Sequence, residues 1–124
     1  MKEEEKPRYD LEERLLNYAV GIIHLTRKLY ADYAERHIGN QLLRSGSAPL
    51  SHHGEAQAAE SPADFIHKMR LALKELRESE RWIKLIDRAG LVSKDSNFPH
   101  ILNETDQLIR IFVTGIATAE KRRN

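Results

Sequence analysis

The chain reads as an all-α protein, an antiparallel up-down-up-down four-helix bundle. Three observations carry that expectation. Apolar residues recur at alternating steps of four and three along four separate segments, no segment keeps the alternation of a strand, and glycine and proline fall mostly where helices open or close. With 124 residues one domain, residues 1–124, accounts for the chain, and about two-thirds of the surface of such an unfolded chain can be buried without covalent staples.

The first helix is expected over about 10–31. Asp10 is its N-cap, and Glu12 and Glu13 follow in the turn where the helix dipole favours acids. Leu11, Leu15, Tyr18, Ile22, Leu25 and Leu29 share one face. The second helix, about 35–59, carries Ile38, Leu42, Leu43, Leu50, Ala56 and Ala59 with the small residues Gly39, Ser45, Gly46 and Ser47. Pro49 lies inside it, lacks a backbone donor and crowds the carbonyl four residues back, so a kink or a break is expected there. The third helix, 61–89, has the plainest ends: Ser61 as N-cap, Pro62 at the first position, Asp64 at the third, and Gly90 as a left-handed terminator. Phe65, Met69, Ala72, Leu76, Ser79, Ile83 and Ile86 form its core face. A loop over Leu91 to Asn97 leads to the fourth helix, 98–121, with Pro99 near its start and Ile101, Thr105, Leu108, Phe112, Ile116 and Ala119 inward. Short connections force successive helices to alternate in direction.

Composition then narrows the function. The chain has no cysteine, which removes disulfides, thiol catalysis and Cys-based metal sites and makes a reducing cytoplasm the default. Twenty Lys and Arg against 19 Asp and Glu leave a net charge of +1, so a nucleic-acid or membrane signal has to be local. Met1–Lys6 lacks the apolar stretch of a secretory leader, and neither secretion nor membrane spanning is expected. A ferritin-like metal site needs Glu-x-x-His on two helices, and the sequence has none; the zincin order His-Glu-x-x-His is absent as well. His52 and His53 are adjacent and diverge by about 100° on a helix, which reads as solvated or interfacial side chains. His24, His37, His67 and His100 stand singly. Neither a Gly-x-Ser-x-Gly elbow nor a phosphate-binding glycine loop occurs, and Arg44-Ser45-Gly46-Ser47 is too short to serve as one. The expectation is a protein that is not an enzyme, with no cofactor and no metal.

Two surface patterns bear on binding. Arg70, Lys74, Arg77, Arg81, Lys84 and Arg88 fall within one arc roughly 80° wide on the third helix, away from its core face. The row runs roughly 27 Å, long enough to follow several phosphates, and arginine favours bidentate phosphate contact. Glu75, Glu78, Glu80 and Asp87 flank it and Glu80 precedes Lys84 by four, so a self-paired solvated face fits the same residues. Ile66 and Leu73 border the row, which also suits a subunit contact rimmed by ion pairs. The tail cations Lys121, Arg122 and Arg123 either extend the basic surface or complement a helix C-terminus. Surplus apolar residues form the second pattern: a second line of Leu16, Val20, Ile23 and Tyr30 on the first helix, and Leu102, Ile109 and Val113 on the fourth. They point to burial against a second copy, or to a broad core.

The segments Tyr9-Asp10-Leu11-Glu12-Glu13-Arg14, Ile38-Gly39-Asn40-Gln41-Leu42-Leu43-Arg44-Ser45-Gly46-Ser47, Glu55-Ala56-Gln57 through Glu60-Ser61, Asp64-Phe65-Ile66-His67-Lys68-Met69 and Leu73-Lys74-Glu75-Leu76-Arg77-Glu78 together resemble a known family. It is that of the bacterial four-helix-bundle proteins named for 23S rRNA intervening sequences, also labelled S23 ribosomal proteins. The resemblance covers nearly the whole chain and implies an antiparallel bundle assembled as a ring-shaped homopentamer, with no established enzyme activity. The family name suggests an RNA role, and a related bundle protein of diversity-generating retroelements binds nucleic acid through a basic surface. One stretch departs: His52-His53 stands where members usually carry Asn-Tyr. Arg44 and Arg77 match the pattern at polar positions that a bundle does not need, and either ion pairing with Glu55, Glu60 or Glu78, within or between subunits, or RNA contact accounts for them. The function expected is therefore binding, to structured RNA or an RNA–protein complex, in the bacterial cytoplasm. An oligomeric protein-interaction scaffold is the alternative.

Overall fold

The structure, a computed structural model, describes residues 7–93 and 97–123. Met1–Lys6 and residues 94–96 of the expected loop lie outside the described residues, so the reading of the N-terminal segment is not addressed. Four helices follow one another: α1 (Pro7–Thr26), α2 (Tyr33–Gln57), α3 (Pro62–Ala89) and α4 (Asn97–Arg123).

Helix ends obey local chemistry where that chemistry is strong. Ser61 is extended and its hydroxyl accepts from the Asp64 N–H at 3.0 Å. Gly90 closes α3 at φ 66°, its N–H bonding Asp87 O while the Leu91 N–H reaches back to Ile86 O, each at 3.1 Å. That pair of bonds is the Schellman arrangement, and Leu91 packs on the core beside Ile86 as it requires. Elsewhere the boundaries differ from expectation. Helix α1 begins at Pro7, so Asp10 lies inside it and not at its N-cap, and it ends at Thr26, not at Ala31. The last turn tightens there: Lys28 N–H bonds Leu25 O, Leu29 N–H bonds Thr26 O, and the Thr26 hydroxyl bonds Ile23 O. Leu29 then tucks into the core at 3% exposure while Asp32, extended, caps α2 by accepting from Glu35 N–H at 2.9 Å. Glu35 reaches back to the Ala31 N–H, so this turn is held from both sides. Helix α2 runs unbroken through Pro49, which is fully buried.

Cross-helix neighbours fix the topology. On α1 and α2, Glu12 meets His53 and Ile22 faces Gly46, while Leu29 faces Gly39. On α2 and α3, Arg44 meets Glu75 and Glu78, and Lys68 meets Glu55. On α3 and α4, Arg70 pairs with Glu120 and Met69 faces Gly115. On α1 and α4, Arg14 forks onto both oxygens of Glu104 at 3.0 and 2.7 Å, and Gly21 faces Ile101. In the α1–α2, α2–α3 and α1–α4 pairs one number rises as the other falls, so these pairs are antiparallel; α4, antiparallel to α1 and packed beside it, then also runs opposite to α3. The α1–α4 seam is the thinnest of the four.

The core is apolar from end to end, built from Leu15, Ile22, Leu42, Leu76, Ile83, Ile86, Leu108 and Phe112 among others. One layer across its middle is polar. Each helix contributes a buried hydroxyl: Tyr18, Ser45, Ser79 and Thr105. Ser79 Oγ donates to Ser45 Oγ at 2.9 Å, Tyr18 and Thr105 hydroxyls lie 2.7 Å apart, and the Thr105 hydroxyl donates to Ile101 O. Burial pushes the Tyr18 phenol up to about 12, against the opposing hydrogen bonds to Thr105 and Ser79.

Candidate nucleic-acid interface

Helix α3 presents its core through Ile66, Met69, Ala72, Leu76, Ser79, Ile83 and Ile86. Ile66, expected beside the basic row, is thus a core residue, and Leu73 packs against the core. The row itself faces out: Arg70, Lys74, Arg77, Arg81, Lys84 and Arg88 are all exposed. Among the described residues Arg70 alone of the six has an acidic partner, Glu120. The expected pairing of Glu80 with Lys84 does not form.

The cause lies on the neighbouring helix. Arg44 of α2 takes both Glu75, at 3.0 Å, and Glu78. The ion pairing expected of Arg44 with Glu78 thus forms between helices of one chain, while its side chain stays half-exposed. Glu78 also accepts from the Trp82 indole N–H at 3.0 Å. The two acids turned toward α2 are paired there, and Lys74, Arg77, Arg81, Lys84 and Arg88 have no acidic partner within ion-pair distance among the described residues. The tail cations Lys121, Arg122 and Arg123 are exposed at the opposite end from Arg88, where Arg122 and Arg123 border Pro62 and Phe65 at the start of α3.

The apolar residues divide. Leu16, Val20 and Ile23 form an exposed row on α1, and Tyr30 and Val113 are exposed as well. Leu102 and Ile109 are half-buried against the core. Leu43 on α2, expected in the core from periodicity, is exposed.

The histidines are separated. His53, expected at the surface, is buried at 5%, with Nδ1 3.2 Å from Glu12, Nε2 beside the Gln57 amide, and its ring edge-on to Phe112. His52 stays outside and, with Lys68 second, holds the Glu55 carboxyl below the usual carboxylate range. His24 and His100 border a cavity of about 220 Å³ between α1 and α4, together with Tyr18, Gly21, Lys28 and Phe98. Among the described residues no group of three His, Asp or Glu side chains converges as metal ligands would, and no helix is long and apolar enough to cross a membrane.

The sequence reading does not anticipate one aromatic group. Tyr33 and His37, one turn apart on α2, have near-parallel rings with centroids 6.4 Å apart, and His37 meets Trp82 of α3 edge-on at 6.2 Å. The i, i+4 spacing of Tyr33 and His37 is visible in the sequence; their meeting with Trp82 depends on the α2–α3 register.

A family model described as 23S rRNA-intervening sequence protein matches residues 10–114. Among solved structures the chain is similar to a protein of unknown function from the S23 ribosomal protein family of Bacteroides thetaiotaomicron VPI-5482, determined at 1.70 Å. The TM-score is 0.80 with 30% identity, covering 88% of this chain and 96% of that one. No curated protein matches the chain.

Proposed function

Since the chain belongs to the 23S rRNA-intervening sequence protein family, we propose that it is a non-enzymatic, oligomeric RNA-binding module of the bacterial cytoplasm. The outer face of α3 contacts phosphates of a structured RNA or an RNA–protein complex, and Lys121–Arg123 extend that surface. One observation carries the reading: Arg44 withdraws Glu75 and Glu78 from the basic row, leaving five exposed cations without acidic partners among the described residues. A face kept only for solvation gains nothing from that separation, whereas a polyanion gains counterion release at each cation it meets. The family's name, which refers to intervening sequences of 23S rRNA, points the same way.

A second reading rests on α1. Leu16, Val20 and Ile23 are 45%, 43% and 37% exposed in one row, which favours burial against another copy, with a homopentamer as the assembly, and leaves room for a scaffold without RNA. Salt separates the two. Five phosphate contacts give a slope of about −3.5 to −4.5 for log affinity against log salt, from single strand to duplex, roughly a hundredfold to five-hundredfold between 50 and 200 mM. An apolar contact is far less sensitive. The test is retention of total bacterial RNA by the purified oligomer at those two salt concentrations, with an Arg77→Glu/Arg81→Glu variant beside it. Salt-sensitive retention, lost in the variant at unchanged mass and helicity, is the expected result. No retention at low salt refutes the RNA reading, and loss of oligomer mass in the variant assigns the row to a subunit contact.

A further inference from the structure

Resting on the RNA reading above, we infer that the α2–α3 edge beside Arg81 and Arg88 is a stacking shelf for unpaired bases, so that the RNA bound there is single-stranded. The shelf is built from Tyr33, His37, Trp82 and Leu85.

Exposure is the first argument. Tyr33 is 77% exposed and buries almost nothing, so packing does not account for it, and Leu85 is 43% exposed. Trp82 is half-buried against the core, which anchors one edge of the shelf. Its indole is also fixed by the hydrogen bond to Glu78, itself held by Arg44. A ring so held offers a base a platform at little entropic cost. The Tyr33 and His37 rings are already stacked, with centroids 6.4 Å apart and planes 21° from parallel, and present one aromatic surface; base–aromatic stacking is tolerant of which base arrives.

The order of residues around α3 is the second argument. Leu85 follows Trp82 by three and precedes Arg88 by three, and follows Arg81 by four, so the three are surface neighbours on the helix. From the α2 side outward the surface passes from aromatic, to apolar, to cationic. A single strand presents the same order across its width, bases on one side, sugars between, phosphates on the other. That order sets how the strand lies across the shelf: bases toward Tyr33 and Trp82, phosphates toward Arg81 and Arg88. A duplex hides its bases and can use the cations alone.

The chain has one tryptophan, so its fluorescence reports on this place. Full-length protein is titrated with a single-stranded RNA oligonucleotide, the DNA of the same sequence, and an RNA duplex of equal length, following Trp82 emission and ligand anisotropy. Expected are saturable quenching by the RNA strand, little by the duplex, and about tenfold weaker single-strand binding in Tyr33→Ala and in His37→Ala, with duplex binding unchanged. Equal quenching by the DNA strand supports the shelf and shows only that the sugar is not read. Salt-sensitive binding of strand and duplex alike, with Trp82 unquenched and Tyr33→Ala silent, overturns this inference while leaving the basic row standing. Binding of neither overturns both. A drop in oligomer mass in Tyr33→Ala assigns the rings to a contact between copies and overturns the shelf. Both substituted positions are exposed, so the variants fold.

Discussion

Replacing Gly46 by alanine tests the closest approach in the bundle. A Cβ there would lie 2.7, 2.8 and 3.0 Å from Cγ1, Cγ2 and Cδ1 of Ile22, against the 3.5–4.0 Å of an ordinary carbon contact. Two of those atoms branch from the Ile22 Cβ itself, and a β-branched side chain in a helix has one strongly preferred χ1. Ile22 is fully buried, so relief requires an off-rotamer side chain or separation of α1 from α2, an overpacking cost of about 1–3 kcal/mol. The gain in helix propensity returns only about 1 kcal/mol, and Gly46→Ala is destabilising by about 1 kcal/mol net. Gly54 lies in the same helix, exposed, with nothing within 4 Å of its would-be Cβ. Gly54→Ala is therefore stabilising by about 0.5–1 kcal/mol. Urea unfolding followed by far-UV circular dichroism should separate the two variants by roughly 2 kcal/mol, with opposite signs relative to the parent, and their melting temperatures by about 6–10 °C. Ile22→Ala supplies the cross-check. It opens a cavity that the methyl group added by Gly46→Ala partly fills, so the double variant is more stable than the sum of the singles by at least about 1 kcal/mol. A Gly46→Ala protein as stable as Gly54→Ala, or a cycle with no coupling, refutes the close α1–α2 contact.

Two further outcomes follow from charges. Arg44→Ala removes a half-exposed ion pair and should cost under about 1 kcal/mol of stability, yet it frees Glu75 and Glu78 to neutralise their own helix. RNA retention should fall, and Glu78→Gln in the same chain should recover part of it; retention unchanged by either substitution removes the argument from charge separation. Tyr18 governs alkaline stability. Its folded pKa, about 12, stands above the ordinary value near 10, so the unfolded chain loses this proton first. The stabilisation from a buried neutral phenol is full below about pH 10 and is lost as pH rises through about 12, a fall of about 2–3 kcal/mol. Tyr18→Phe should flatten stability over that window relative to the parent in chemical denaturation, and parallel curves would contradict the assignment.

What the sequence discloses follows the range of the interaction responsible. The ends of α3 are legible because Ser61, Pro62, Asp64 and Gly90 act within one turn of themselves. The end of α1 is not, because periodicity continues through Leu29 while the chain has left the helix to bury that residue. The start of α2 is written in Asp32 and Glu35, three residues apart, a capping signal stronger than the apolar spacing that puts the start near Glu35. Direction of the basic row follows from helical angle alone, and all six cations are outside. Whether the row is self-neutralised depends on Arg44, thirty-one residues before Glu75, and no local pattern carries that. The same holds for His53, whose neighbours Glu12 and Phe112 come from other helices, and for the meeting of His37 with Trp82.

The hydroxyl layer bears on how the molecule assembles. Its cross-helix bonds join α1 to α4 and α2 to α3; neither lies within the α1–α2 hairpin or the α3–α4 hairpin. In a hairpin standing alone these hydroxyls would face water, which takes the place of the missing partner, so the layer does nothing to hold either half by itself. Its bonds act only between the halves, once they dock and exclude water. The thin α1–α4 seam closes in the same event, through Tyr18 with Thr105 and Arg14 with Glu104. Parting α1 from α4 breaks both of those contacts at once, so the seam with least contact is the one closed by directional bonds.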